Sequence, residues 1–367
     1  MWRKHMTNLY RPTWAEINLD YLWHNYQIAQ NEIKNKTVIP VIKANAYGHG
    51  AKEVFKFLYK KGVRFFAVSL LEEALELKSI HRDVSILMMG PILESDLEVA
   101  SINQIEFTIY DKHIYESVIQ SNLELICHLK VDTGMSRYGM VEPKMIMDAV
   151  NSLQAKKNIN LKGIFTHFAT ANENEAFYNM QASRFIEIIN SLKIRPQMIH
   201  ISNSSSTFKY EKNYDFTTHV RLGISLYGLS LDSPKPNIIP VMSLKSKIVQ
   251  IKELNKGESV GYGASYQAKV HEYIAILPIG YADGFIRKNK TGYVEINKKE
   301  YKIVGIICMD ACFIRVDETV KIGDTATLFG GLITIDDIAH RLKTINYEIV
   351  TSISYRVPRI MVEGVKI

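Results

Sequence analysis

The stretch TVIPVIKANAYGHGAKEVFKFLYKKGVRFFAVSL, residues 37–70, carries the fold in miniature. It opens with TVIPVIK (37–43) and closes with RFFAVSL (64–70), two short β-branched, apolar runs of the kind that form strands buried on both faces. Between them AKEVFKFLYKKG sets apolar residues at helical intervals and stops on Gly62. Strand, helix and strand make one βα unit. The rhythm continues through VSILMMG (84–90), EFTIY (106–110), LELICHLKVD (123–132), LKGIFTHFA (161–169), MIHISNS (198–204) and HVRLGISLYG (219–228), with LLEEALELKS and EAFYNMQASRFIEIINSL filling later gaps as helices. Eight such strands with crossover helices predict an α/β fold, a (β/α)8 barrel of the TIM type. An open doubly wound sheet is the alternative, but it normally carries a GxGxxG turn after its first strand, and none stands there.

After Pro234 and Pro236 the texture changes to VMSLKSKIVQIKEL, GYVEIN, KKEYKIVGIICMDACFIRV and DTATLFG, broken by the turn signals NKG, NKK and GG. Strands joined by tight turns, with one helix near DDIAHRLKT, predict a mostly antiparallel β domain. The expected division is therefore a barrel over 1–238 and a β domain over 239–367. The first dozen residues do not follow the barrel rhythm and are candidates for packing on the second domain.

Composition agrees with two folded domains, because 367 residues exceed what one ordinary core fills, and 47% hydrophobic with 23% charged residues is the balance of a soluble globular chain. The formal charge of +7 is spread among acidic residues and forms no basic stripe, so no nucleic-acid partner is expected; an anionic small-molecule cofactor accounts for local positive charge equally well. Neither a signal-peptide core nor an 18-residue apolar run occurs, which points to the cytoplasm and no membrane. Cys127, Cys308 and Cys312 match no common zinc or redox spacing and read as free buried thiols, with no metal site.

A barrel of this type builds its site at the C-terminal ends of its strands, and polar residues recur there. Lys43 ends the first run, Lys130 and Asp132 the fifth, His167 the sixth, Ser202, Asn203 and Ser204 the seventh, and Arg221 opens the eighth. Singly each has an ordinary explanation: a solvated loop lysine, a structural histidine, a helix N-cap at 202–206, a surface cation at Arg137. Together they face one mouth. The last two loops, the habitual phosphate site of the fold, carry Asn203 to Ser206 and Gly223-Ile224, which favours a phosphorylated ligand, and a lysine across the mouth can hold an aldehyde as a Schiff base.

The segment Val41-Ile42-Lys43-Ala44-Asn45-Ala46-Tyr47-Gly48-His49-Gly50 resembles the pyridoxal-5'-phosphate (PLP) attachment signature of the alanine racemase family. LKVDTGMSRYG (129–139), THFATA (166–171), SNS (202–204), RLGISLYG (221–228), VGYGASY (260–266), PIGYADG (278–284), CMD (308–310) and SYRVPRI (354–360) resemble the family in the same order, over nearly the whole chain. The resemblance implies a PLP-binding barrel, a cytoplasmic homodimer with shared active sites, and two-base racemisation of alanine or another small amino acid such as serine, serving D-alanine supply for the cell wall. It assigns the Schiff base to Lys43 and the second catalytic base to Tyr266. It sets Tyr47, Asn203, Ser204, Gly223, Ile224 and Tyr355 around the phosphate, Arg221 at the pyridine nitrogen and His167 beside the cofactor. Arg137, Met309 from the partner subunit and Tyr281 fall to the substrate, and Lys130 is the lysine carbamylated in some relatives.

The chemistry fits those choices, since racemisation needs acid–base groups on two faces of a planar carbon. Lys43 and Tyr266 ordinarily titrate near 10, so both are expected to be tuned downward, by Arg137 and by His167. An arginine at the pyridine nitrogen keeps its own proton and makes a weaker electron sink than a carboxylate partner does, which disfavours transamination. Ile306 departs from the arginine many relatives carry at the substrate entrance and bears on substrate preference. Two alternatives stand beside this reading: a PLP-dependent amino-acid decarboxylase on the same scaffold, and a non-enzymatic PLP-binding protein.

Overall fold

The computed structural model describes residues 9–232 and 236–365. Pro234 and the first eight of the dozen unassigned N-terminal residues lie outside the described residues. The chain divides into two compact units: Trp23–Ala46 with Ala51–Ile239, and the described residues up to Leu22 with Tyr47–Gly50 and those from Pro240 onward. Strand β1, Thr13–Asn18, belongs to the second of these.

The first unit is the barrel. Its strands are β2 (Thr37–Pro40), β3 (Phe65–Val68), β4 (Ser85–Met88), β5 (Glu106–Ile109), β6 (Leu125–Lys130), β7 (Ile159–Phe165), β8 (Met198–His200) and β9 (His219–Leu222). Strands β3 to β8 pair in parallel in chain order, and β2 pairs in parallel with β9. Two joints close the ring. Ile42 N–H donates to the Ala67 carbonyl at 2.9 Å between β2 and β3, and Thr218 and Arg221 donate to Ile199 and Ser202 at 2.8 and 3.1 Å between β8 and β9. Strands covered on both faces have no polar side to show water, which is why they read as continuous apolar runs rather than alternations.

The crossover helices bury one stripe each. Pro143–Ala155 starts on a proline, whose missing N–H costs nothing in the first turn, and buries Ile146, Ala149, Val150 and Leu153 at helical spacing.

In the second unit follow β10 (Met242–Lys247), β11 (Gln250–Leu254), β12 (Ser259–Val260), β13 (Tyr266–Gln267), β14 (Glu272–Leu277), β15 (Tyr293–Ile296), β16 (Lys299–Val304), β17 (Cys312–Val316), β18 (Thr325–Phe329) and β19 (Arg359–Val362). Nine of the strands make one sheet, ordered β11-β14-β17-β16-β15-β18-β10-β1-β19, antiparallel except where β1 meets β19. Burial alternates strictly along β10, the mark of a sheet with one covered face. Asn297 and Lys298, both at positive φ, form the two-residue turn between β15 and β16 where NKK signals it.

The boundary read from the sequence differs from the structure at the N-terminus. Thr13–Asn18 pairs with β10 and β19, so these residues go with the β sheet and not with the barrel. The cause is local: TWAEIN alternates like a half-buried strand, and its Thr13 hydroxyl meets that of Ser246 at 2.7 Å in the interior.

Candidate functional site

Lys43 does not end its strand, as the sequence reading had it. Strand β2 stops at Pro40, and Lys43 opens one turn of left-handed helix in which Ala44, Asn45, Ala46 and Tyr47 have φ between 51 and 55 degrees. Side chains with a Cβ pay about 1–2 kcal/mol each for that conformation. Hydrogen bonds offset the strain: Ala44 N–H donates to Glu73 Oε1 at 2.6 Å, and Ala51 N–H to Asn45 Oδ1 at 2.8 Å. Strain of this size concentrates where a side chain must be aimed. The Lys43 amine is pushed below its ordinary value by burial and by Arg137, with Glu73 opposing.

Arg137 follows a loop tied by one carboxylate. Asp132 accepts from the backbone N–H of Gly134, Ser136 and Arg137 at 2.8, 3.1 and 3.1 Å. Gly139 lets the chain return, since a Cβ there would stand 2.6 Å from the Asp132 nitrogen. Lys130, the last residue of β6, is buried between the Tyr138 and Phe165 rings; burial, then Arg137 and Arg221, press its amine down to about 8. His167, beyond β7, is kept neutral by burial and by the surrounding cations, Arg221 first.

Across the mouth, Asn203 caps the short helix Ser204–Lys209 by accepting from Ser206 N–H at 3.1 Å, so the plain reading of this segment as a cap is true as well. Ser204 Oγ accepts from Gly223 and Ser225 N–H at 3.1 and 3.3 Å, which stitches the loops after β8 and β9 together beside Ile224. Beneath them the buried Glu211 accepts from Lys36 at 2.8 Å and from the hydroxyls of Ser202 and Thr217.

Arg221 points inward from β9 and is 3% exposed. Its Nη1 donates to His200 Nδ1 and His200 O at 2.7 and 2.8 Å, and its Nη2 to Thr166 O, Ile201 O and His167 Nδ1 at 2.7, 3.1 and 3.4 Å. Among the described residues no acceptor meets Nε. Burial lowers the guanidinium to about 9, with Glu211 opposing, so it remains charged at neutral pH.

In the β unit, Tyr266 on β13 lies against a small cluster including Leu254, Val260 and Ile274 and donates its hydroxyl to Glu272. Its pKa is raised, not lowered as the sequence reading expected. Burial and the Glu272 carboxylate both favour the neutral phenol, and Arg315 only partly opposes them. Tyr281 and Met309 come together through backbone: Tyr281 N–H donates to Cys308 O at 3.0 Å and Ala282 N–H to Met309 O at 3.1 Å. Gly280 permits the approach, since a Cβ there would lie 2.2 Å from the Cys308 carbonyl. Tyr355 and Met309 are exposed and Ile306 is half-buried. Cys308 is also half-buried, which corrects its reading as a buried thiol; it lies in the loop between β16 and β17, whereas Cys127 and Cys312 belong to strands.

The sequence reading missed His128, His200, Glu106 and Lys162, which line the barrel interior below Arg221. Their signal was available: ionisable residues inside runs as apolar as LICHLK and MIH, where burial is costly without partners.

A closed barrel with a depressed lysine and a charged arginine at its mouth, on a chain that also carries a mostly antiparallel sheet, fits the class of barrel enzymes with a second β domain to which amino-acid racemases belong. Residues 17–231 match the family model described as "Alanine racemase, N-terminal domain", and residues 241–361 match "Alanine racemase, C-terminal domain". The chain belongs to the alanine racemase family. It is 36% identical to the alanine racemase of Geobacillus stearothermophilus over 97% of this chain and 95% of that one. The crystal structure of alanine racemase from E. faecalis superposes with a TM-score of 0.91 at 34% identity, covering 96% of this chain and 99% of that one. A histidine racemase from Leuconostoc mesenteroides subsp. sake superposes at 0.89 with 28% identity, over 96% and 98% of the two chains.

Proposed function

We propose that the chain is a PLP-dependent isomerase that interconverts L-alanine and D-alanine, with Lys43 and Tyr266 as its two acid–base groups. The observation that carries this reading is Arg221. Its terminal nitrogens are committed to carbonyls and neutral imidazoles, and its Nε–H is left to donate to a ring nitrogen. A decarboxylase of this scaffold would set an acidic residue in that position.

The residues present fit the cofactor. The Lys43 amine, held below its ordinary value, is a nucleophile for an aldehyde, and the stitched loops at Ser204 and Gly223 suit a phosphate. When bound, PLP supplies that aldehyde and a ring that spreads the charge left at the substrate Cα. Lys43 would anchor it; Tyr47, Asn203, Ser204, Gly223, Ile224 and Tyr355 would hold its phosphate, and Arg221 and His167 would border its ring. Arg137 and Met309 of the partner subunit would bind the substrate carboxylate, and Tyr281 would contact the substrate. Lys43 would take or return the Cα proton on one face and Tyr266 on the other. Lys130, an amine near pKa 8, is suited to carry a carbamate.

The same reading makes the enzyme a cytoplasmic homodimer whose sites join the barrel of one subunit to the β domain of its partner, with the barrel assigned to 1–238 and the β domain to 239–367 apart from the strand β1. Among the described residues no helix is long and apolar enough to cross a membrane. The test is incubation of the PLP-loaded protein with a panel of L-amino acids and chiral separation of the products, with borohydride reduction and peptide mapping to locate the cofactor. D-alanine formation and a label on Lys43 are expected. Release of an amine and carbon dioxide instead would overturn the reading.

A further inference from the structure

The barrel interior holds a row of buried side chains that the proposed reaction does not touch. Below Arg221, whose Nη1 donates to His200 Nδ1 at 2.7 Å, His200 Nε2 lies 3.0 Å from His128 Nδ1. His128 Nε2 lies 2.9 Å from Glu106 Oε2, and the other carboxylate oxygen takes Lys162 Nζ at 2.5 Å. Both imidazoles are fully buried and Glu106 is 1% exposed. The row is sterically built in: the His200 ring stacks on Phe165 at 4.7 Å, and a Cβ on Gly163 would stand 2.3 Å from His128 Nδ1.

Its two ends dictate its direction. Arginine can only donate, so His200 Nδ1 accepts. Burial, with Arg221 and His128 adding to it, keeps His200 neutral, so its one proton is on Nε2 and is donated to His128. Burial likewise lowers His128, whose proton then sits on Nε2 and is donated to Glu106. Glu106 accepts because burial, which would raise its carboxyl, is outweighed by the hydrogen bonds from His128 and Lys162 and by the charge of Lys162. From Arg221 through His200 and His128 to Glu106, every donor faces away from Arg221.

We propose that Glu106 is a positioning residue for racemisation: by taking the last hydrogen bond it fixes the tautomers of His128 and His200 and thereby the seat of Arg221. This rests on the reading that Arg221 serves the cofactor ring. If the row were reversed, His200 would carry its proton on Nδ1 and meet the Arg221 N–H as donor against donor. The guanidinium would leave its seat, and Nε with it.

Glu106→Gln tests this with almost no change of shape. Lys162 can only donate, so it claims the amide oxygen, and the amide N–H2 turns to His128 and reverses the row. In the PLP-loaded enzyme, nitrogen-15 NMR of the histidines should find Nε2–H on His128 and His200 in the natural protein and Nδ1–H in Glu106→Gln. The kcat should fall about tenfold, the size of one charge-assisted hydrogen bond, with KM for alanine unchanged.

Lys162→Met added to Glu106→Gln frees the amide to turn its oxygen back to His128. The double variant should regain both the Nε2–H tautomers and most of kcat, a rescue that a merely structural role would not produce. Nδ1–H on either histidine of the natural protein, unchanged tautomers in Glu106→Gln, or no recovery in the double variant would each overturn the proposal. A cofactor found elsewhere than on Lys43 would defeat the functional reading and leave the tautomer result standing.

Discussion

Lys43 and Tyr266 are paired in the proposed reaction, yet their own units treat them in opposite ways. Lys43 is half-buried beside a cation, and both effects lower its amine toward the neutral, basic form. Tyr266 is bound to a carboxylate, and burial and Glu272 together hold its phenol protonated. The barrel thus prepares its base by itself, while the β unit stores a proton donor. A phenol that must also accept a proton needs more positive charge than Arg315, which only partly opposes burial and Glu272, supplies.

The largest effect that bears on this contrast comes from Tyr266→Phe. Racemisation should fall by about 10³-fold, within the range for loss of one positioned acid–base group, with PLP retained. Exchange of the Cα proton with solvent should survive better from D-alanine, which Lys43 serves. Equal loss of exchange from both enantiomers, measured by NMR in deuterium oxide, would break the assignment of one base to each face.

Ile306, in the same unit as Tyr266, carries the next effect. If an isoleucine at the entrance leaves room for larger substrates, Ile306→Arg should favour alanine over serine by about 1–3 kcal/mol in relative kcat/KM, the worth of one pocket contact. An unchanged ratio would show that this position does not select.

Glu272→Gln sharpens the contrast directly. Removing the carboxylate removes a cause that raises the Tyr266 phenol, so its pKa falls. In the direction that needs the phenolate, the acidic limb of the kcat/KM profile should move to lower pH, with a change of within about tenfold at neutral pH. A limb that stays in place would mean that Glu272 does not hold the phenol in the working enzyme.

The barrel was legible because parallel strands announce themselves as short apolar runs, and all eight runs became strands. Lys43, Arg137, His167 and Arg221 were legible through their motifs. What stayed hidden depended on partners distant in the chain. Glu106 and His128 stand 22 residues apart and His128 and His200 stand 72 apart, and no local pattern joins them. Burial raises the Tyr266 phenol most and the Glu272 contact, only six residues away in the chain, adds to it, against the lowering expected from the cations that the resemblance places there. The strand Thr13–Asn18 was lost to the barrel side because its partner β10 begins more than two hundred residues later.

The smallest effect concerns the turn that aims Lys43. Ala44 has φ 51 and ψ 52, where a Cβ costs about 1–2 kcal/mol and glycine costs nothing. Against that gain, glycine adds about 0.4–1 kcal/mol of chain entropy to the unfolded state. Ala44→Gly should therefore leave stability unchanged or raise it by up to about 1.6 kcal/mol, read as a rise in Tm of a few degrees at most. Ala74→Gly, in the right-handed helix Leu71–Ile80 of the same unit, is the matched control and should lose about 1 kcal/mol or more. Opposite signs for the two substitutions would establish that the left-handed turn is strained and held by Glu73 and Asn45. Equal destabilisation would mean that the turn relaxes without cost, and Lys43 would then owe its position to burial alone.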